Sequence, residues 1–210
     1  MKNTLLALMV FALTGSVQAQ LSDTAIRNAY YSSYRYDKAQ NYADAIKAMS
    51  PVLAAFPDGY TANLRMGWLH YLQGGFSTAR HHYEKAIKVA PYSIEAKLGI
   101  MLPLLAQEKY EEVESFCKMV VRIDPNNYTA NLRLTYALRL QKKYDAAEEI
   151  ATRLLAYFPT DVSFLNEFGL LKVAKNDRDR AIRVFNDVVI LDPENIVAKA
   201  QLAKLVPATR

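Results

Sequence analysis

Three histidines, one cysteine and a run of glutamates are the residues of this chain whose types invite chemistry. His70, His81 and His82 are its only histidines. A structural zinc site needs three or four convergent ligands, and ligands carried on one helix share a face only at i, i+3 or i, i+4. Adjacent His81 and His82 point about 100° apart on a helix, so the two cannot converge on one ion. The three read as ordinary helix residues. Cys117 is the only cysteine, so no internal disulfide is available, and it reads as a small buried hydrophobe. Glu111, Glu112 and Glu114 read as the solvated face of a helix. There is no glycine-rich phosphate loop, no His-Glu-x-x-His pair and no nucleophile elbow. The sequence therefore predicts no catalytic residue, no metal ligand and no cofactor.

Arginines beside aromatics carry more information. The hexapeptide YTANLR occupies residues 60–65 and again 128–133. In both copies an aromatic follows the arginine one helical turn later, Trp68 after Arg65 and Tyr136 after Arg133. Such neighbours on a helix can form a cation–π contact of about 0.5–1 kcal/mol at an exposed site. Aligned over their periods, residues 60–93 and 128–161 share ten identities, of which six are the hexapeptide itself. A recent duplication would spread its identities evenly, so the concentration points to a shared local requirement. The expectation is a helix start that sets an Arg–aromatic pair on the same face in two alternate repeats.

The elements that must position these residues follow from the prolines. Pro57, Pro91, Pro125, Pro159 and Pro193 recur every 34 residues. Two residues after each stands Gly59, Ser93, Asn127, Asp161 or Asn195, all of the small set that caps helix N-termini. Each unit reads as a helix stop followed by a helix start. Between them apolar residues recur at helical spacing, for example Leu132, Tyr136 and Leu140, then Ala147, Ile150 and Leu154. A second break falls mid-period, at Gln73–Phe76, Glu108–Tyr110 and Lys142–Tyr144. Each period is thus two short antiparallel helices. Pro103 and Pro51 fall inside expected helices, where each removes a backbone donor and is expected to change local curvature without ending the array.

These residues resemble the tetratricopeptide repeat family. Its small, aromatic, alanine, aromatic, alanine and proline positions fall on Gly67, Phe76, Ala79, Tyr83, Ala86 and Pro91. Residues 162–195 match with Gly169, Ala181, Phe185 and Pro193, with Arg178 in place of an aromatic. Tyr42 with Ala45 and Tyr144 with Ala147 keep part of the pattern, and residues 94–127 diverge most, with Met101, Val113, Cys117 and Val120. The resemblance implies an all-α fold, a right-handed superhelical solenoid of about five hairpins over 26–59, 60–93, 94–127, 128–161 and 162–195. A helix over 196–206 would cap the open end.

The same resemblance implies that one face of each first helix lines a concave groove. Those positions are Tyr30, Tyr34 and Asp37; Leu64, Trp68 and Tyr71; Leu98, Leu102 and Leu105; Leu132, Tyr136 and Arg139; Asn166, Leu170 and Val173. With Arg65 and Arg133 from the repeated hexapeptide, they make the expected partner-binding surface. Three leucines flanked by Trp68 and Tyr136 favour an apolar or aromatic-rich protein segment. Two other readings stand beside this one: Pro103 turns the leucines into the core, or the surface serves self-association. The basic and asparagine pattern with which some relatives clamp a terminal carboxylate is absent.

The first residues lie outside the repeats. Lys2, the apolar run Leu5–Leu13 and Val17-Gln18-Ala19 have the order of a secretory signal peptide, expected to be removed after Ala19. The run is too short to span a bilayer, so no stable membrane span is expected after cleavage and the protein is expected to be periplasmic or secreted. The formal net charge is +5 and its basic residues interleave with acidic ones, without the stripe that nucleic acid requires. The function these features favour is a non-enzymatic interaction scaffold of the bacterial cell envelope. The alternative is a fixed structural subunit of a pilus, secretion or outer-membrane biogenesis machine.

Overall fold

The computed structural model describes residues 21–206. Among them are eleven helices and no strand: α1 Asp23–Lys38, α2 Tyr42–Ala55, α3 Tyr60–Leu72, α4 Phe76–Val89, α5 Ile94–Ala106, α6 Tyr110–Ile123, α7 Tyr128–Leu140, α8 Tyr144–Tyr157, α9 Val162–Ala174, α10 Arg178–Leu191 and α11 Ile196–Leu205. The expected signal peptide lies outside the described residues.

Two kinds of turn, each recurring once per period, fold this string into hairpins. Between hairpins the chain makes a β-turn with proline second. The N–H of Gly59, Ser93, Asn127, Asp161 and Asn195 each bonds the carbonyl just before the proline, at 2.9 to 3.1 Å. Those five residues are the N-caps of α3, α5, α7, α9 and α11, and all but glycine accept a backbone N–H with their side chains. Within hairpins the first helix closes on a residue of positive φ: Gln40, Gly74, Glu108, Lys142 and Asn176. The next residue bonds back to the helix, as in Lys143 N–H to Leu138 O at 2.9 Å. This Schellman closure favours glycine, yet Gly74 is the only glycine among the five.

Each helix packs on its neighbours in sequence, and α3 touches α5 as α7 touches α9. First helices thereby line up along one side of the array. Pro51 and Pro103 sit inside α2 and α5, which run on through them. The divergent repeat is ordinary in packing, since Met101, Val113, Cys117 and Val120 are wholly buried in one core with Tyr83, Leu134 and Leu138. Small residues make room for rings: a methyl on Gly169 would stand 2.7 Å from Phe185, and one on Gly99 only 2.3 Å from Tyr83. α11 covers the end of the array through buried Ala198, with Leu202 and Leu205 against the cluster of Phe185 and Val188. Arg178, the departure from the aromatic pattern, donates to the carbonyl of Leu205 at the C-terminus of α11, where a cation is favoured.

Candidate binding groove

The repeated hexapeptide fastens neighbouring elements through three of its positions, Tyr, Asn and Arg. Asn131 is fully buried, and its amide donates to the carbonyls of Pro125 at 3.0 Å and Asn127 at 2.9 Å. Asn63 does the same for Pro57 and Gly59, both at 2.9 Å. The tyrosine that opens each copy reaches the next repeat's cap: Tyr60 Oη lies 2.8 Å from Ser93 Oγ and Tyr128 Oη donates to Asp161 at 3.2 Å. The arginine reaches the preceding first helix: Arg65 bonds Ser33 at 3.0 Å and Asp37 at 2.7 Å, and Arg133 donates to the Leu98 carbonyl at 2.6 Å. YTANLR is a fastening device between turns and repeats.

The expected Arg–aromatic pairs are therefore corrected. The Arg65 guanidinium lies 4.0 Å over the ring of Tyr34, in the preceding repeat, and Arg139 instead of Arg133 lies over Tyr136, at 5.3 Å. The bonds to Asp37 and Leu98 turn both hexapeptide arginines toward the previous helix and away from their own helix's next turn. Trp68 Nε1 donates to the same Asp37 carboxylate at 3.3 Å.

The first helices together hold an open hollow of about 690 Å³. Tyr30 and Tyr34 of α1, Leu64, Arg65 and Trp68 of α3, Leu98 and Leu102 of α5 and Arg133 of α7 line it, all from the expected set. Leu64, Leu98 and Leu102 are half-buried, so they are only partly withdrawn into the core. A second hollow of about 460 Å³ continues from Arg133 with Leu105, Leu132 and Tyr136. Asn166 and Leu170 lie there too, while Val173 lies against a separate hollow beside α11. Tyr71 and Arg139 line neither main hollow. Tyr71 packs between Trp68 and Phe76, and Arg139 is held by both carboxylate oxygens of Glu167, at 2.7 and 3.2 Å.

Six further residues of the larger hollow were not expected: Tyr60, Thr61, Thr129, Tyr83, Glu95 and Gly99. The doubled Tyr-Thr of the hexapeptide was the available signal for three of the sites. The Tyr83 ring packs into the space that a side chain at Gly99 would take, and burial raises the phenol's pKa. Tyr30 donates to Thr61 at 3.0 Å, and Tyr60 donates to Glu95 at 3.1 Å.

Outside the groove, His82 is buried with its Nδ1 2.9 Å from Asn63 Oδ1, and its ring stacks on His70. Burial first, then the charges of His70, His81 and Lys85, lower its pKa to about 4. Among the described residues no group of three or more His, Cys, Asp or Glu is placed to hold a metal ion. Cys117 is buried 3.6 Å from the Met101 sulfur, and burial pushes its thiol up to about 12. Glu114 departs from the expected solvated face. It is buried and accepts from Lys118 at 2.6 Å and from Lys143 of the next repeat at 2.8 Å.

An array of helical hairpins whose first helices share a concave, partly apolar face is a helical-repeat interaction scaffold. Two tetratricopeptide repeat profiles match the chain, over residues 33–94 and 104–164, together more than half of it. The chain belongs to the tetratricopeptide repeat family, a family of protein–protein interaction modules. No curated protein matches it. Solved structures similar in fold include a tetratricopeptide repeat protein from Parabacteroides merdae, with a TM-score of 0.79 and 15% identity over 87% of this chain and 72% of that one. MamA from Desulfovibrio magneticus RS-1 has a TM-score of 0.75 and 18% identity over 84% of this chain and 99% of its own. YrrB, described as a tetratricopeptide repeat protein with an unusual peptide-binding site, gives 0.70 and 15% over 84% and 90%. Among the described residues no helix is long and apolar enough to cross a membrane.

Proposed function

We propose that the chain is an exported, non-enzymatic scaffold of the bacterial cell envelope that holds an apolar or aromatic-rich segment of a partner protein in its concave groove. One observation carries this reading: an open hollow of about 690 Å³ brings aromatic side chains of α1 and α3 together with leucines of α3 and α5. Trp68 and Tyr34 stay exposed at its rim, at 37% and 51%. Apolar surface left open in this way gains free energy when a partner covers it. A trough of this kind suits an amphipathic helix laid along it. The unusual peptide-binding site described for YrrB supports the reading as a precedent in a protein of similar fold. The export half rests on residues 1–19, and N-terminal analysis of protein from cells is expected to begin at Gln20.

The groove itself is tested with the chain's only tryptophan. Crosslinking in intact cells and mass spectrometry identify the partner. Titrating that partner is expected to shield Trp68 from a soluble quencher and shift its emission. Leu102→Glu sets a charge among the apolar side chains in the middle of the surface, in the hollow that Arg133 also lines, and is expected to abolish capture. The helical circular dichroism should stay as it was. A Trp68 that no quencher reaches in the free protein, or a Leu102→Glu chain that unfolds, would place these residues in the core and end the proposal. A fixed-subunit reading draws on apolar side chains exposed outside the groove, Tyr157 at 65%, Ile190 at 76% and Ile196 at 83%. Copurification with a stable complex, and poor solubility without it, would favour that reading.

A further inference from the structure

Arg133 lines both hollows of the groove. Among the described residues its guanidinium makes one hydrogen bond, from Nη1 to the Leu98 carbonyl, at 2.6 Å. The other two arginines of the expected groove set are neutralised, Arg65 by Asp37 at 2.7 Å and Arg139 by Glu167 at 2.7 Å. No carboxylate of the described residues lies within ion-pairing distance of Arg133. The two carboxylates that do line the hollows are engaged elsewhere. Glu95 accepts from Tyr60, and Glu167 is clamped by Arg139.

A guanidinium carries five N–H donors in a planar fork that matches a carboxylate with two parallel bonds. None of Arg133's nitrogens is both fully buried and without a hydrogen-bond partner, and the residue itself lines both hollows. Half withdrawn from water, the charge interacts with an incoming anion more strongly than a fully solvated one does. Its position decides which anion. Apolar walls lie on each side, Leu64 and Leu102 in one hollow, Leu132 and Leu170 in the other. A chain whose carboxylate sits on Arg133 must continue in both directions to cover them.

Resting on the groove reading above, we propose that the occupant is a peptide segment whose internal Asp or Glu side chain pairs with Arg133. Apolar or aromatic residues on both sides of that acid fill the two hollows. The groove thus selects an acid framed by hydrophobes, in the interior of a chain and not at its end.

The test is a selection of linear random peptides displayed on phage against the immobilised full chain. Enriched peptides are expected to carry Asp or Glu with apolar or aromatic residues before and after it. One such peptide is then made with a fluorophore and titrated by anisotropy. Replacing its acid by the amide should weaken binding roughly tenfold or more, the scale of a charge-assisted pair. That change touches only the peptide and leaves folding aside. Arg133→Gln should bind the acid and amide peptides equally, and Arg133→Lys should keep part of the preference. Apolar peptides enriched without an acid, or an Arg133→Gln chain that still prefers the acid, would overturn the acid–Arg133 pair while leaving the groove intact. No enrichment, or enrichment unchanged by Leu102→Glu, would overturn the groove and this inference with it.

Discussion

Replacing Asn131 by alanine removes the bonds that join a turn, a helix start and the neighbouring helix. The amide of Asn131 donates to Pro125 O at 3.0 Å and to Asn127 O at 2.9 Å, and its oxygen accepts from Arg153 at 2.8 Å. Asn127 O keeps the backbone N–H of Asn131 at 3.0 Å, so losing the side-chain bond there forfeits about 1 kcal/mol. Pro125 O is left with only a long contact to Arg153, at 3.5 Å. Stranding a part-buried carbonyl adds about 1–2 kcal/mol. Arg153 is largely exposed and rehydrates at little loss. The expected destabilisation is about 2–3 kcal/mol, near 5–10 °C of melting temperature for a domain of this size. Lys97 supplies the control, because at the same place in its repeat its ammonium donates to the carbonyls of Pro91 and Ser93. Asn131→Lys should therefore recover a good part of what Asn131→Ala loses. Thermal melts followed by circular dichroism compare the three chains, and hydrogen exchange should place the loss in residues 125–157. An alanine variant that melts with the parent, or a lysine variant no better than alanine, would refute the fastening role.

Acid should loosen the array in two steps. His82, lowered to about 4 from a usual 6.5, must take up a proton on unfolding, so its contribution is complete above about pH 6.5 and is lost as pH falls toward 4. Burial alone would raise the Glu114 pKa, but bonds from Lys118, Lys143 and Gln141 outweigh it and hold the carboxyl near 2. Its contribution is full above about pH 4.5 and fades as pH falls toward 2, and melts of Glu114→Gln should lack this second loss. Gly99→Ala sets a methyl 2.3 Å from the buried Tyr83 ring, and the overpacking of about 1–3 kcal/mol should exceed the gain of roughly 1 kcal/mol in helix propensity, lowering the melting temperature. Lys142→Gly relieves a positive φ of 62° and should raise stability by about 0.5–1 kcal/mol in the same melts. Removing residues 196–210 uncovers the cluster of Phe185 and Val188, so exchange protection should fall first in residues 162–195.

The backbone of this protein is legible because it is periodic. Five prolines in phase and five capping residues two positions on fix every hairpin boundary, and the structure places an N-cap at each of them. Burial at Ala79, Tyr83 and Ala86 follows from the same period. What periodicity cannot carry is the choice of hydrogen-bond partner. Glu114 looks solvated on its own helix because the lysine that buries it, Lys143, stands 29 residues on, in the next repeat. Arg65 looks paired with Trp68 until the fold brings Asp37 and Ser33 from the preceding repeat against it.

The hexapeptide shows the limit most clearly. Asn63, Lys97 and Asn131 perform one task, donating to the proline carbonyl and the cap carbonyl before them. Asparagine and lysine are unlike as letters and alike here as two-armed donors, so a search for repeated letters finds two of the three. The arginines invert the lesson. Arg65 and Arg133 are the same letter in the same hexapeptide, yet one meets a carboxylate and the other only a carbonyl. α1 offers Asp37 to the first, while α5 gives the second a helix bearing leucines at its groove positions. An identical residue thus acquires opposite electrostatic states from its neighbour repeat, closed in one case and open in the other. The open one lies where both hollows meet, so the charge that the fold leaves unanswered stands at the centre of the surface a partner would cover.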